Sequence, residues 1–226
     1  MLKKEITDIL SASTKLGWVF EPEAKRLLNL ARLETTRFRW THRVDEAVQF
    51  AEEIGYPVAA KIVSPVIIHK SDVGGVAVGI TDPKALSDTF RRFSMMKGFT
   101  GVIVEEMVSG IELIVGAKID YQFGPVILLG MGGTGVEIYQ DMTLRMAPLK
   151  QRDAQSMINC LKAQRLLKGY RGAEPINLKA LNQLITTFSE LVMEIETSIE
   201  SIDLNPVMCN AKKCVVADAR IMLQAQ

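Results

Sequence analysis

Lys61 stands inside the apolar run PVAAKIV (57–63), where a rigid strand would present its ammonium as a point charge suited to a phosphate. The alternative, weighed less because lysine is seldom buried unpaired, is an edge-strand lysine whose stem lies along the sheet while its ammonium reaches water. His69 is one of two histidines, set in IIHKSDVGG beside Lys70 and Asp72 and ahead of Gly74-Gly75. A loop histidine with a neighbouring cation and mobile glycines suits a nucleophile for a phosphoryl group, and a plain surface histidine is the alternative. His42, in the basic-aromatic stretch TTRFRWTH, is assigned no catalytic part.

The segment GMGGTG (130–135) places four glycines, Gly130, Gly132, Gly133 and Gly135, within six residues. Such a run permits turns whose N–H groups converge on an anion. It is neither a Walker A loop nor a dinucleotide fingerprint, because no Gly-Lys-Ser/Thr follows and a strand-like run comes next. A single turn or bulge needs fewer glycines, which favours a ligand. Glu105 and Glu106 end one apolar strand and Glu112 begins the next. A short link between strands can set acidic side chains and free backbone groups beside an apolar slot, which suits adenine and ribose. A solvated hairpin end explains the same residues as well. Asp203, Asn205 and Asp218 fall on facing strands of the last hairpin. Asn205 and Asp218 are expected to meet across the ladder as two oxygen ligands of the kind magnesium takes along with water and phosphate. Arg220 shares the face of Asp218 by the two-residue period and would meet a phosphate. The alternative is an ordinary polar hairpin edge.

The elements that must hold these residues are legible from period and punctuation. A short helix opens the chain and turns at Lys15-Leu16-Gly17, and EPEAKRLLNLARL (21–33) is helical with Pro22 in its first turn. Residues 35–42 are a short strand or an irregular connection. RVDEAVQFAEEIG (43–55) is a helix with Val44, Ala47, Val48 and Ala51 as its apolar stripe and Gly55 as its stop. Strands follow at 57–63 and 76–80, then a helix at 82–93 with Asp82 as N-cap and Pro83 at its first position. GVIVEEMV (101–108), ELIVGAKI (112–119) and PVILLG (125–130) read as a β-meander. Helices are expected near 151–165 and 177–196, and a terminal hairpin turns at Asn210-Ala211-Lys212. The pattern is α+β, with a seam near residue 104 between a helix-rich half and a hairpin-rich half.

Composition narrows the class without naming a function. The 226 residues are 48% hydrophobic and 23% charged, long enough to bury about 70% of the unfolded surface in one core or two. The formal charge of +1 gives no footprint for nucleic acid or membrane. Three cysteines, Cys160, Cys209 and Cys214, suit neither a disulfide framework nor a zinc site. No apolar run nears the roughly 18 residues of a membrane span. The opening MLKKEITDIL lacks the apolar core of a signal peptide, so a cytoplasmic location is expected. The 11 methionines sit at apolar positions as core filler.

Taken together, YPVAAKIVSPVIIHKSDVGGVAVGI, GVIVEEMVSGIELIVGAKID, FGPVILLGMGGTGVEIYQDMTLRMAPL and IDLNPV…VVADARI resemble one family in order and spacing from about residue 20 to 223. They resemble the ATP-grasp subunit of NDP-forming acyl-CoA synthetases, best the β subunit of ADP-forming acetate–CoA ligase. HKSDVGGV and the FGP…G-x-G-G block are the specific parts. The resemblance implies an ATP-grasp fold, two α+β subdomains with a nucleotide cleft between them. Residues 21–104 would form the first, and 1–20 with 105–226 the second. It implies Lys61 on phosphate or base, Glu105, Glu106, Met107 and Val108 on adenine, and Glu112 near ribose. Gly132 and Gly133 would lie in the nucleotide loop, Asn205 and Asp218 on Mg2+, and His69 and Arg220 would be catalytic. The implied cofactors are ATP/ADP and Mg2+, and the implied reaction is acyl-CoA + ADP + phosphate ⇌ acid + ATP + CoA, through an acyl phosphate and a phosphohistidine. The main phosphohistidine belongs to a CoA-binding α subunit, in an α2β2-type assembly, with His69 proposed in the family as a second carrier. Two departures stand out. The segment before His42 lacks the family's Gly-Ile-Pro turn, and Thr134-Gly135 replaces a bulkier apolar pair. Neither removes a carried-over residue. Two rivals follow: the ATP-grasp part of a related acyltransferase or of a synthetase for longer or aromatic acids, and a non-catalytic nucleotide-binding regulatory subunit. Retention of Lys61, His69, Asn205 and Asp218 argues against the last.

Overall fold

A computed structural model describes residues 3–133 and 140–224. Its apolar side chains fall into two cores with no member in common. They correspond to two compact units: residues 1–19, 23–35 and 109–226, and residues 20–22 and 36–108. The expected seam at 104/105 therefore falls inside the smaller unit, and residues 23–35 pack with the larger one.

The smaller unit is a four-stranded antiparallel sheet, ordered β2 (Phe38–Thr41), β5 (Val102–Glu106), β3 (Val58–Ile62), β4 (Val76–Ile80). Helices α3 (Val44–Ile54) and α4 (Pro83–Ser94) contribute Ala47, Phe50, Ala51, Leu86, Phe90 and Phe93 to its core. Val58, Ala60, Ile62, Val102 and Val104 meet them from the sheet. Alternation then sends Lys61 and Glu105 to the opposite face. Asp82 caps α4 as its sequence predicts, accepting the Ala85 N–H at 2.9 Å, with Pro83 just inside. In α3 the buried stripe centres on Ala47, Phe50 and Ala51, while Val44 is exposed.

The larger unit is a seven-stranded sheet. Its order is β1 (Trp18–Val19), β11 (Ala219–Leu223), β9 (Ile199–Cys209), β6 (Ile111–Asp120), β7 (Gly124–Met131), β8 (Met142–Met146), with β10 (Cys214–Val216) also paired to β9. Helices α1 (Lys4–Ser13), α2 (Glu21–Leu30), α5 (Gln151–Cys160) and α7 (Leu178–Ile195) supply its core, and the short α6 (Gln164–Leu167) follows α5. Leu113, Val115, Ile127, Leu129, Leu204 and Ile221 point into that core, so Glu112, Gly116, Asp203 and Arg220 take the other face by the strand period. The expected meander is corrected at one point. β5 is flanked by β2 and β3 in the smaller sheet, with both edges occupied, so β6 begins a new ladder with β7 and β9. The second arm of the terminal hairpin is broken at Ala217-Asp218 into β10 and β11, which pair successive parts of β9. Among the described residues no helix is long and apolar enough to cross a membrane.

Candidate nucleotide and metal sites

In the smaller unit, β3 is an interior strand, with Lys61 opposite Ile103 on one side and Val76 on the other. The edge-strand account of Lys61 is thereby excluded. Its side chain is buried, 6% exposed, and its Nζ donates to Glu21 Oε1 at 2.8 Å and pairs with Glu105 Oε1 at 2.8 Å. Glu105 Oε2 accepts the Thr36 hydroxyl at 2.6 Å, and Glu21 Oε2 pairs with Lys70 Nζ at 2.5 Å. Thr36, Glu105, Lys61, Glu21 and Lys70 thus form one chain of alternating partners. Burying an ion pair has a desolvation penalty that attraction repays only with good geometry, so such a chain is held by reciprocal hydrogen bonds.

His69 is exposed, in the segment between β3 and β4 directly before Lys70. Glu106, by contrast, is engaged with the start of β2: its carboxylate accepts the Arg37 backbone N–H at 3.0 Å and the Arg37 Nε at 3.2 Å. Its own N–H donates to the Arg37 carbonyl at 3.0 Å. Met107 and Val108 lie past the end of β5, the first of them exposed. Glu106 therefore offers its carboxylate to Arg37.

In the larger unit the glycine cluster has a local explanation as well as a ligand one. Gly132 donates its N–H to the Glu112 carbonyl at 2.7 Å, so that group is already used. A Cβ on Gly132 would lie 2.9 Å from the Glu112 carbonyl carbon and oxygen, which forces glycine at this close approach. Gly133 has a φ of 84°, and a Cβ there would lie 3.5 Å from Glu112 Oε2. Gly132 and Gly133 thus set the backbone against the exposed Glu112. Thr134 and Gly135 lie outside the described residues.

Asn205 and Asp218 are neighbours across the β9–β11 junction, where the Asn205 N–H donates to the Asp218 carbonyl at 3.2 Å. One step along, Arg220 faces Asp203 and its Nη2 lies 3.4 Å from Asp203 Oδ2. Burial raises the Asp203 carboxyl above the usual aspartate range, Arg220 opposes that rise, and the charge of Asp218 adds to it. Among the described residues no three His, Cys, Asp or Glu side chains gather closely enough to hold an ion by themselves. Asn205 and Asp218 carry side-chain oxygens of the type magnesium takes, one or two from protein with water and phosphate completing its shell.

Glu21, Thr36 and Asp203 were not assigned roles by motif. Glu21 lies 40 residues from its partner Lys61. Its position at the start of a helix, before Pro22, reads as an ordinary acidic first-turn residue. No local signal marks it as a lysine partner.

Comparison with known proteins agrees over nearly the whole chain. The ATP-grasp domain family matches residues 11–223. The β subunit of acetate–CoA ligase [ADP-forming] I from Pyrococcus furiosus is 41% identical over 211 residues, covering 90% of each chain. The 4-hydroxybutyrate–CoA ligase [ADP-forming] of Nitrosopumilus maritimus is 39% identical over 91% of this chain but only 31% of its own length. Among solved structures, acetyl-coenzyme A synthetase 1 of Candidatus Korarchaeum cryptofilum superposes with a TM-score of 0.89 at 38% identity, covering 96% of this chain and 99% of that one. The same enzyme with coenzyme A and Mg-AMPPCP, its phosphohistidine segment pointing towards the nucleotide-binding site, gives 0.85 at 38% identity over 97% of this chain. The chain belongs to the ATP-grasp domain family, among the β subunits of ADP-forming acetate–CoA ligases.

Proposed function

We propose that this chain is the nucleotide-binding subunit of an ADP-forming acyl-CoA synthetase, catalysing acyl-CoA + ADP + phosphate ⇌ acid + ATP + CoA together with a CoA-binding α subunit in the cytoplasm. One observation carries the reading. A chain aligned over 90% of its length with such a β subunit carries a buried strand lysine in one unit and, in the other, Asn205 hydrogen-bonded through its backbone to Asp218. Lys61 and Arg220 would receive phosphate charge, main-chain groups of 106–108 the adenine, and Glu112 the ribose. Asn205 and Asp218 would hold magnesium, which when bound neutralises phosphate charge.

The step assigned to this chain is phosphoryl transfer from a phosphohistidine to ADP. The N–P bond of the histidine breaks, a bond forms from the terminal phosphate oxygen of ADP to phosphorus, and the imidazole leaves with its lone pair restored. Such a transfer depends on in-line placement and charge neutralisation more than on a strong base. Asp203, paired with Arg220, would hold that guanidinium for the phosphate. The main phosphohistidine would be delivered by the α subunit of an α2β2-type assembly, and His69 would act as a second carrier. With the partner present, His69→Ala should abolish acyl-CoA-dependent ATP formation and leave ADP affinity by calorimetry within about threefold. Unchanged turnover removes His69 from the pathway.

A further inference from the structure

The ion chain of the smaller unit reaches beyond the lysine it surrounds. Glu21, 4% exposed, divides its two oxygens between two cations: Oε1 takes Lys61 at 2.8 Å and Oε2 takes Lys70 at 2.5 Å. Lys61 is fixed on an interior strand, whereas Lys70 lies in the segment joining β3 to β4 and is covalently next to His69. That segment is also held at both ends: Ser64 Oγ donates to the Lys97 carbonyl at 2.9 Å at its start, and at its close Gly75 donates its N–H to the Lys70 carbonyl at 2.7 Å while Ile62 donates to the Gly75 carbonyl at 2.9 Å. A Cβ on Gly75 would fall 2.6 Å from Ile62 Cγ2 and 3.0 Å from the Lys70 carbonyl, so the chain closes tightly here. The exposed stretch before it, with His69, is tied to the sheet through Lys70 and Glu21.

We infer that Glu21 is a positioning residue that couples occupancy at Lys61 to the loop carrying His69. The inference rests on the proposed nucleotide role of Lys61. A shared carboxylate makes the two ion pairs competitors for one negative charge. When a phosphate adds its charge at Lys61, the attraction between Lys61 and Glu21 weakens and Glu21 is released toward Lys70, which tightens the loop. By reciprocity, a loop held by Lys70 favours phosphate at Lys61. A purely structural tie would be served as well by apolar groups of the same volume. An ion pair joining a fixed lysine to a loop lysine is instead a switchable contact.

The test compares wild type, Glu21→Gln and Lys70→Gln by hydrogen exchange of amides 64–75 with and without Mg-ADP, calorimetry establishing saturation. Glu21→Gln keeps the shape of the side chain and removes its charge. Lys70→Gln cuts only the outer pair. Wild type is expected to slow exchange in this segment about tenfold or more on binding, and either variant less than twofold at saturation. With two histidines in the chain, an imidazole 15N spectrum gives a second readout. The His69 resonance should move with Mg-ADP in wild type and stay in place in both variants. A ligand response of wild-type size in either variant overturns the coupling. So does wild-type binding with no change in the loop. Failure of wild type to bind Mg-ADP rejects the nucleotide reading itself. Should Glu21→Gln not fold, Lys70→Gln alone decides.

Discussion

Lys61 shows how strongly a side chain's meaning depends on its partners. With its ammonium 2.8 Å from each of two carboxylates, the residue neutralises both in a buried site. Lys61→Met leaves two buried carboxylates facing each other without that cation. It should lower unfolding free energy in urea by about 3–5 kcal/mol, and Glu105→Gln added to it should recover part of the loss. Asp203 behaves in the opposite sense. Its folded carboxyl titrates above the ordinary aspartate range, chiefly because burial disfavours the charge. The folded state therefore holds the proton more tightly than the unfolded chain does, and stability is lost as pH rises from the ordinary range through the raised value. Asp203→Asn removes that loss. By thermal melts it should be at least as stable as wild type at pH 7, with the advantage vanishing at acid pH, while phosphoryl transfer falls. A variant less stable at pH 7 would show that the Arg220 pairing outweighs burial.

At the scale of elements, the glycine pair and the cap of α4 separate local geometry from ligand chemistry. Gly132→Ala drives a Cβ against the Glu112 backbone and should cost about 1–3 kcal/mol by overpacking, while weakening ADP binding because Glu112 moves. Gly133→Ala meets no close atom but must adopt a φ of 84°, which costs about 1–2 kcal/mol. Asp82→Ala loses the bond to the Ala85 N–H and about 1 kcal/mol, and calorimetry should find ADP affinity unchanged. The same elements show what could be read in advance. The Asp82-Pro83 start, the strand around Lys61 and the adjacency of the Asn205 and Asp218 backbones were legible because cap, apolar run and hairpin register are local rules. The sheet to which β5 belongs was not, since that depends on β2 and β3 claiming both its edges. Nor was Glu21, whose acidic side chain at a helix start has an adequate local explanation while its actual partners sit 40 and 49 residues away. The apolar run PVAAKIV placed Lys61 on a strand; only the neighbouring strands could say that the strand is interior.

For the whole molecule, the consequential feature is the division of apolar residues between two cores, because it gives each unit an unfolding transition that can be followed by itself. The chain has two tryptophans, Trp18 in the larger unit and Trp40 in the smaller, each built into a strand. Trp40 also donates its Nε1–H to the Thr100 carbonyl at 3.0 Å, so its environment changes when the smaller unit opens. Trp18→Phe leaves a reporter for the smaller unit, and Trp40→Phe one for the larger. Separate cores predict separate urea midpoints for the two reporters. A ligand bound only by the native state stabilises it by about 2.7 kcal/mol at a hundred times its Kd. If Lys61 and the 106–108 main chain act on the same nucleotide as Glu112, Asn205 and Asp218, Mg-ADP must raise both midpoints. Magnesium alone, without phosphates to complete its shell, should raise neither appreciably. A rise confined to the larger unit would assign binding to the Glu112, Asn205 and Asp218 group alone and remove Lys61 from the nucleotide. A rise confined to the smaller unit would remove the Asn205–Asp218 pair instead.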